Sequence, residues 1–173
     1  NKVKEGKLSS EIDFYLNDKN LLKNFIAKGV VSNLKANIVG NFNLNNTNFS
    51  FFADKHDVLL KNISSESGPF KIRDGDLKLK FNPEISLETN FTTNLRYNNK
   101  FIDFKKVVNN FEYVKNIIDL EANFKNTFTI SFDNTYKIKK YNYTSSGEIF
   151  KATFKFKNAL ENYFIGEKIN DLS

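Results

Sequence analysis

The chain has 173 residues, enough for one domain with a core, and a formal net charge of +6 without a single Cys, Met or Trp. Lacking Cys, it has no disulfides, thiol chemistry or Cys-ligated metals, and it contains neither an apolar run long enough to cross a bilayer nor a signal peptide. Lys far outnumbers Arg, and Asn, Ile and Phe abound, so the basicity reads as compositional bias and solvated strand faces, with no nucleic-acid partner expected.

In chain order the dominant signal is alternation of apolar and polar residues, the period of a strand with one apolar face. Lys7–Leu16 is a strand with Leu8, Ile12, Phe14 and Leu16 on one side, followed by a turn at Asn17–Asn20. Phe25–Val31 is a weaker strand. Leu34, Ala36, Ile38, Gly40, Phe42 and Leu44 make a longer run, with Gly40 marking a bulge or bend. Turns are expected at Asn45-Asn46-Thr47 and Asp54–Asp57, with a short strand at Phe49–Phe52 between them. Val58–Ile63 is a strand and Ser64–Gly68 a loop.

The most regular stretch follows. Asp74-Gly75 suits a tight hairpin turn, because Gly takes positive φ without penalty. Leu77, Leu79 and Phe81 alternate with lysines, and Asn82-Pro83 breaks the run. Alternation resumes with Ile85, Leu87, Thr89, Phe91, Thr93, Leu95 and Tyr97.

The pattern changes once. From Asp103 to Asp119, Phe104, Val107, Val108, Phe111, Val114, Ile117 and Ile118 recur at three- and four-residue spacing, which predicts one amphipathic helix of about four turns packed on the sheet. Phe124, Phe128, Ile130 and Phe132 then share one parity. Tyr136 and Ile138 give way to Tyr141 and Tyr143 on the opposite parity, which a bulge near Lys139-Lys140 would reconcile. Ser145-Ser146-Gly147 reads as a turn before a strand carrying Phe150, Ala152, Phe154 and Phe156.

The fold class expected is therefore mainly β: about ten strands in a large, curved antiparallel sheet, either an open trough or a partly closed barrel, with one amphipathic helix at about 103–119. One helix about 25 Å long is too small to cover such a sheet. Residues 1–173 read as one β-rich segment, and the absence of Met at position 1 suggests a piece of a longer protein.

Candidate chemistry is sparse. His56, the single histidine, sits in a polar turn with no second His or Cys to complete a metal site. Arg73-Asp74-Gly75-Asp76 offers two carboxylates, fewer oxygens than a Ca²⁺ loop needs. The Asn-x-Ser/Thr triplets at Asn62, Asn90 and Asn142 are expected by chance in so Asn-rich a chain. Lys151, Lys155 and Lys157 fall opposite Phe154 and Phe156, which prevents base stacking and phosphate contact on one face. No phosphate loop, nucleophile elbow or paired carboxylates appear, so no enzyme, metal or cofactor is expected.

The phrases GKLSSEIDFYL, AKGVVSNLKANI, NTNFSFFADKHDVLLKNI, IRDGDLKLKFNPEISLETNFTTNL and FDNTYKIKKYNYTSSGEI, in that order, resemble the AsmA-like proteins of Gram-negative bacteria, above all the very large YhdP/TamB-type members. The resemblance spans most of the chain and is one of pattern, with no catalytic signature. It implies a segment of a long periplasmic protein anchored in the inner membrane through a part outside this chain. It also implies neighbouring β-segments of the same chain and a hydrophobic groove that carries phospholipid toward the outer membrane. The residues expected to line the groove against acyl chains are Leu77, Leu79, Phe81, Ile85, Leu87, Phe91, Leu95, Phe128, Ile130, Phe132, Phe154 and Phe156. The alternative is a structural or adhesin-like β-domain with a closed core, binding protein or glycan through Tyr136, Tyr141 and Tyr143.

Overall fold

The computed structural model describes residues 2–19, 21–37, 43–98 and 117–155. Eight strands appear: β1 (Lys2–Leu16), β2 (Leu22–Asn37), β3 (Asn43–Asp54), β4 (Asp57–Ser67), β5 (Phe70–Lys80), β6 (Ser86–Asn98), β7 (Ile117–Phe132) and β8 (Ile138–Phe154). They form one open sheet in the order β1 to β8, every neighbouring pair antiparallel, uncurled to weakly curved. The sheet is thus a meander in which each strand pairs with its sequence neighbours. The partly closed barrel is not formed, because β1 and β8 are both edges.

Eight strands replace the ten expected because several apparent turns lie inside strands. Asn46, read as part of a turn, sits within β3 with φ of 49°, and Asp74 sits within β5 with φ of 51°. Asn33 in β2 and Asn62 in β4 have φ of 53° and 56°. Each coincides with a register shift against a neighbouring strand, so each is a β-bulge. Asn and Asp reach this left-handed conformation at less cost than other non-glycine residues, so they serve bulges as readily as turns. Four adjacent strands, β2 to β5, carry such a residue. Each bulge changes the phase of the alternation, as between Val31 and Leu34 or Leu60 and Ile63, and so preserves the apolar side of the sheet.

The run Leu34–Leu44 is divided between β2 and β3, and Gly40 lies outside the described residues. The expected loop at Ser64–Gly68 is mostly strand: β4 continues to Ser67, and the chain turns at Gly68-Pro69. The expected turn at Ser145-Ser146-Gly147 lies inside β8. Gly147 is there for close approach: a Cβ would collide with Asn123 O and come within 2.7 Å of the Phe124 ring. Gly29 is confined likewise, against Ser9 O and the Phe51 ring. The bulge expected near Lys139-Lys140 is present, since Ser131 pairs with Lys140 and Phe132 with Ile138. Of the expected helix at 103–119, residues 103–116 lie outside the described set. Ile117, Ile118 and Asp119 belong to β7, where Asp119 pairs with Asn98.

Four reversals lie at one end of the sheet, and three of them share a device. Asn17 Oδ1 accepts from the N–H groups of Lys19 and Leu21 at 3.0 and 2.9 Å. Asp54 Oδ1 accepts from those of His56 and Asp57 at 2.7 and 2.8 Å. Asp133 Oδ1 accepts from those of Thr135 and Lys137 at 2.8 and 3.0 Å, and from the Thr135 hydroxyl at 2.7 Å. These side chains satisfy turn N–H groups that the ladder leaves free. The fourth reversal, between β5 and β6, contains the cis peptide Asn82-Pro83.

Candidate functional site: an apolar face across eight strands

Directly opposed residues share a face of an antiparallel sheet, so the register assigns every side. One row runs Ile12, Ala27, Ala53, Val58, Leu79, Leu87, Ile130, Tyr141. The next runs Gly29, Phe51, Leu60, Leu77, Thr89, Phe128, Tyr143. Beyond the bulges the same face continues through Phe70, Leu95, Ala122 and Ile149, and through Tyr97, Leu120 and Ala152. The apolar face therefore reaches from one edge of the sheet to the other.

Among the described residues no second layer covers it. Among the described residues the buried hydrophobic ones are Ala36, Leu95, Tyr97 and Ala122, and all four lie on this face. Burial pushes the Tyr97 phenol above its ordinary pKa. Most other large apolar side chains of the inner strands are half-buried. At the edges the face is open: on β1 Leu8 and Phe14 are each 67% exposed, and on β8 Tyr141 is 70% exposed. Contiguous exposed apolar surface of this extent marks an interaction site.

The face is interrupted by buried polar groups. Asn126 is buried, and its Nδ2 donates to Phe91 O (3.3 Å), Thr93 Oγ1 (3.1 Å) and Phe124 O (3.1 Å). Its Oδ1 accepts from the Tyr143 hydroxyl (2.8 Å) and the Ser145 hydroxyl (3.0 Å). A second buried pair, the hydroxyls of Thr47 and Ser65, sits 2.6 Å apart.

The opposite face carries the charge. Cross-strand pairs there form Lys28–Glu11 (3.0 Å), Lys35–Glu5 (2.8 Å) and Lys71–Glu66 (2.8 Å). Hydrogen bonding to Lys35 and Lys71 holds the carboxyls of Glu5 and Glu66 below their usual range, and bonding to Glu11 raises Lys28. All are exposed, so each contributes little alone.

Of the residues expected to line a groove, Leu77, Leu79, Leu87, Phe91, Leu95, Phe128 and Ile130 are brought together on the apolar face. Phe81 and Ile85 flank the β5–β6 reversal, where Phe81 N–H donates to His56 O at 2.8 Å and Ile85 O accepts from Phe132 N–H at 2.9 Å. Phe132 pairs with Ile138 at that end. Phe154 stands at the other end, opposite Ile117, and is 40% exposed. Phe156 lies outside the described residues. The selection missed half of the face: Phe25, Phe49, Phe51, Val58 and Leu60 from β2 to β4. Their alternation was visible, but the bulges broke its phase.

The sparse chemical candidates have structural partners. Asp76 Oδ2 accepts from Lys61 Nζ at 2.7 Å, which lowers its pKa. Asp74 is the β5 bulge, and His56 N–H caps Asp54. Lys151 pairs with Asp119 at 2.6 Å. Among the described residues no group of three or more His, Cys, Asp or Glu could hold a metal, and no helix is long and apolar enough to cross a membrane. Comparison with known protein families, curated proteins and solved structures finds no match to any of them.

Proposed function

We propose that the apolar face is a lipid-binding, lipid-conducting surface, the floor of a β-groove that holds phospholipid acyl chains. The observation that carries this reading is a continuous apolar face across eight strands, with no second layer among the described residues. Acyl chains need no directional recognition. Each buried CH₂ contributes about 0.8 kcal/mol, so a partly enclosed chain binds and still slides. In this reading the sheet is a segment of an AsmA-like periplasmic protein, closing into a trough with neighbouring β-segments and serving phospholipid transport between the inner and outer membranes. It performs no catalysis.

The test uses four variants, read by fluorescent-lipid binding, native mass spectrometry for co-purified phospholipid, and thermal melting. Phe91→Asp, Thr89→Asp and Thr93→Asp place a charge on the apolar face and are expected to abolish lipid uptake while the fold persists. Asn90→Asp, on the opposite face, keeps the oxygen that accepts from Thr127 Oγ1 at 2.9 Å and is expected to be silent. Unfolding of Phe91→Asp, together with no lipid binding by the unaltered chain, would overturn the reading, because a carboxylate unfolds a protein when buried in a closed core.

A second reading rests on β8. Tyr136, Tyr141 and Tyr143 are 74%, 70% and 56% exposed, an aromatic edge suited to protein or glycan in an adhesin-like domain. Binding to a glycan array that is lost in Tyr141→Ser, without lipid uptake, would favour it.

A further inference from the structure

The two edge strands are built to pair. Every residue of β1 is exposed, and so is β8 from Ile138 to Lys151. Sheet edges are usually blunted by short strands, by Pro, or by charges turned toward the apolar side. These strands are 15 and 17 residues long and contain no Pro. Between Lys7 and Leu16 on β1, and between Lys140 and Ile149 on β8, every charge stands on the polar face.

The strand count and the register decide what each edge fits. In an antiparallel meander of eight strands the first and last run in opposite directions. A second copy set with its β1 beside β8 therefore pairs antiparallel and continues the meander, with both faces kept. The row from Ile12 to Tyr141 crosses all eight strands. Carried into the next copy, it sets Ile12 against Tyr141, Asp13 against Lys140 and Ser10 against Tyr143. The regular parts of the two edges coincide in that register. β1 has no register shift from Lys7 to Tyr15, and β8 has none from Lys140 to Ile149. Residues 7–13 of one copy then lie against 140–146 of the other, inside both regular stretches.

Charge agrees with this match. Glu11 and Asp13 stand in the C-terminal half of β1, at the same end of the sheet as Lys139 and Lys140 of β8. Glu11 is already held by Lys28 and Lys139 by Glu84, which leaves Asp13 and Lys140 without an ion pair among the described residues. Pairing β8 with a second β8 would instead oppose two strands that each carry Lys139, Lys140 and Lys151 against the single Glu148, and like charges across a ladder repel. On the apolar side Ile12 and Tyr141 form a β-branched and aromatic pair, a favourable cross-strand combination.

We infer that the partner at each edge is a second copy of this chain, joined head to tail, β8 of one copy to β1 of the next, with Asp13 and Lys140 paired across the joint. Such a contact does not close on itself after two copies, so it propagates. The apolar face of one copy runs on into that of its neighbour. The joint rests on the two edges and not on what the apolar face holds, so its test is separate from that of lipid uptake.

A chain without Cys allows a direct test by single-cysteine cross-linking. Directly opposed residues have Cα atoms about 4.5–5.5 Å apart, close enough for a disulfide. Ile12→Cys and Tyr141→Cys chains are mixed with oxidised glutathione as oxidant, and the products are read by intact mass. A dimer of one chain of each kind is expected, in excess over dimers of either variant alone. The double variant should give a ladder of linked oligomers. Ile12→Cys with Phe150→Cys, at the far end of β8, should give no such product. Adding Lys140→Glu to the Tyr141→Cys chain should cut the yield by about two- to fivefold, and adding Asp13→Lys to the Ile12→Cys chain should restore it. Unchanged thermal melting of each variant shows that the fold is kept. Dimers linked mainly 12 to 12 or 141 to 141, or no cross-link at any concentration, overturn the inference. A charge swap that fails to restore the yield overturns the role given to Asp13 and Lys140.

Discussion

Asn62 occupies the middle of β4 with φ of 56°, a conformation that costs a side chain branched at Cβ about 1–2 kcal/mol. Asn62→Gly should leave stability unchanged or slightly raised, whereas Asn62→Val should lose about 1–2 kcal/mol in urea denaturation. Asn126 tests a different term. Its removal strands the backbone and hydroxyl partners that it links across β6, β7 and β8. Asn126→Ala should cost roughly 1–3 kcal/mol, and Thr127→Ala, which loses one exposed bond to Asn90, should stay within about 0.5 kcal/mol by the same assay. The bulge residues mark where the sequence misleads. Asn46 and Asp74 carry the same local preference whether the chain reverses or only shifts phase. The distinction lies in whether the next strand pairs back on the same segment, a non-local fact.

At the scale of elements, strands with unbroken alternation were legible. From Ser86 to Asn98, β6 matches its expected run, and its register with β7 has no shift. The three-residue rhythm of 103–119 misled at its end, because Ile117, Ile118 and Asp119 satisfy a strand when β6 offers a ladder. Tertiary pairing overrides so short a periodic signal. The turn carboxylates make a pH-dependent prediction. Backbone N–H groups of His56 and Asp57 hold Asp54 below its ordinary pKa, and the Thr135 hydroxyl with the N–H groups of Lys137 and Thr135 does the same for Asp133. A depressed carboxyl pKa contributes stability that is complete above the unfolded value, about 3.9, and is lost as pH falls through the folded one. The melting temperature should therefore drop below about pH 4, and more gently in Asp54→Asn with Asp133→Asn, which keep the acceptor oxygen without the titration. At the alkaline end the sign reverses. Glu84 raises Lys139 and Asp119 raises Lys151, so their contribution holds below the unfolded lysine pKa, about 10.4, and fades as pH rises through the raised values.

At the largest scale the described residues form one sheet with β1 and β8 as its edges, each lined with exposed apolar side chains, and such edges recruit further strands. Sedimentation velocity should show association that grows with concentration, reduced by Ile12→Lys on β1 or Tyr141→Lys on β8. A monomer at every concentration would contradict this. The apolar face could be recognised strand by strand, but its openness could not, because alternation looks the same whether or not a second layer covers it. The strand order carries a further consequence. Among the described residues each strand leans on those before and after it, so cohesion passes along the sheet like links in a chain, with no central element there to fasten all the rest. Loosening should therefore begin at the margins and move inward. Amide hydrogen exchange should be fastest in β1 and β8 and slowest in the strands between them, a graded profile in place of a single global one.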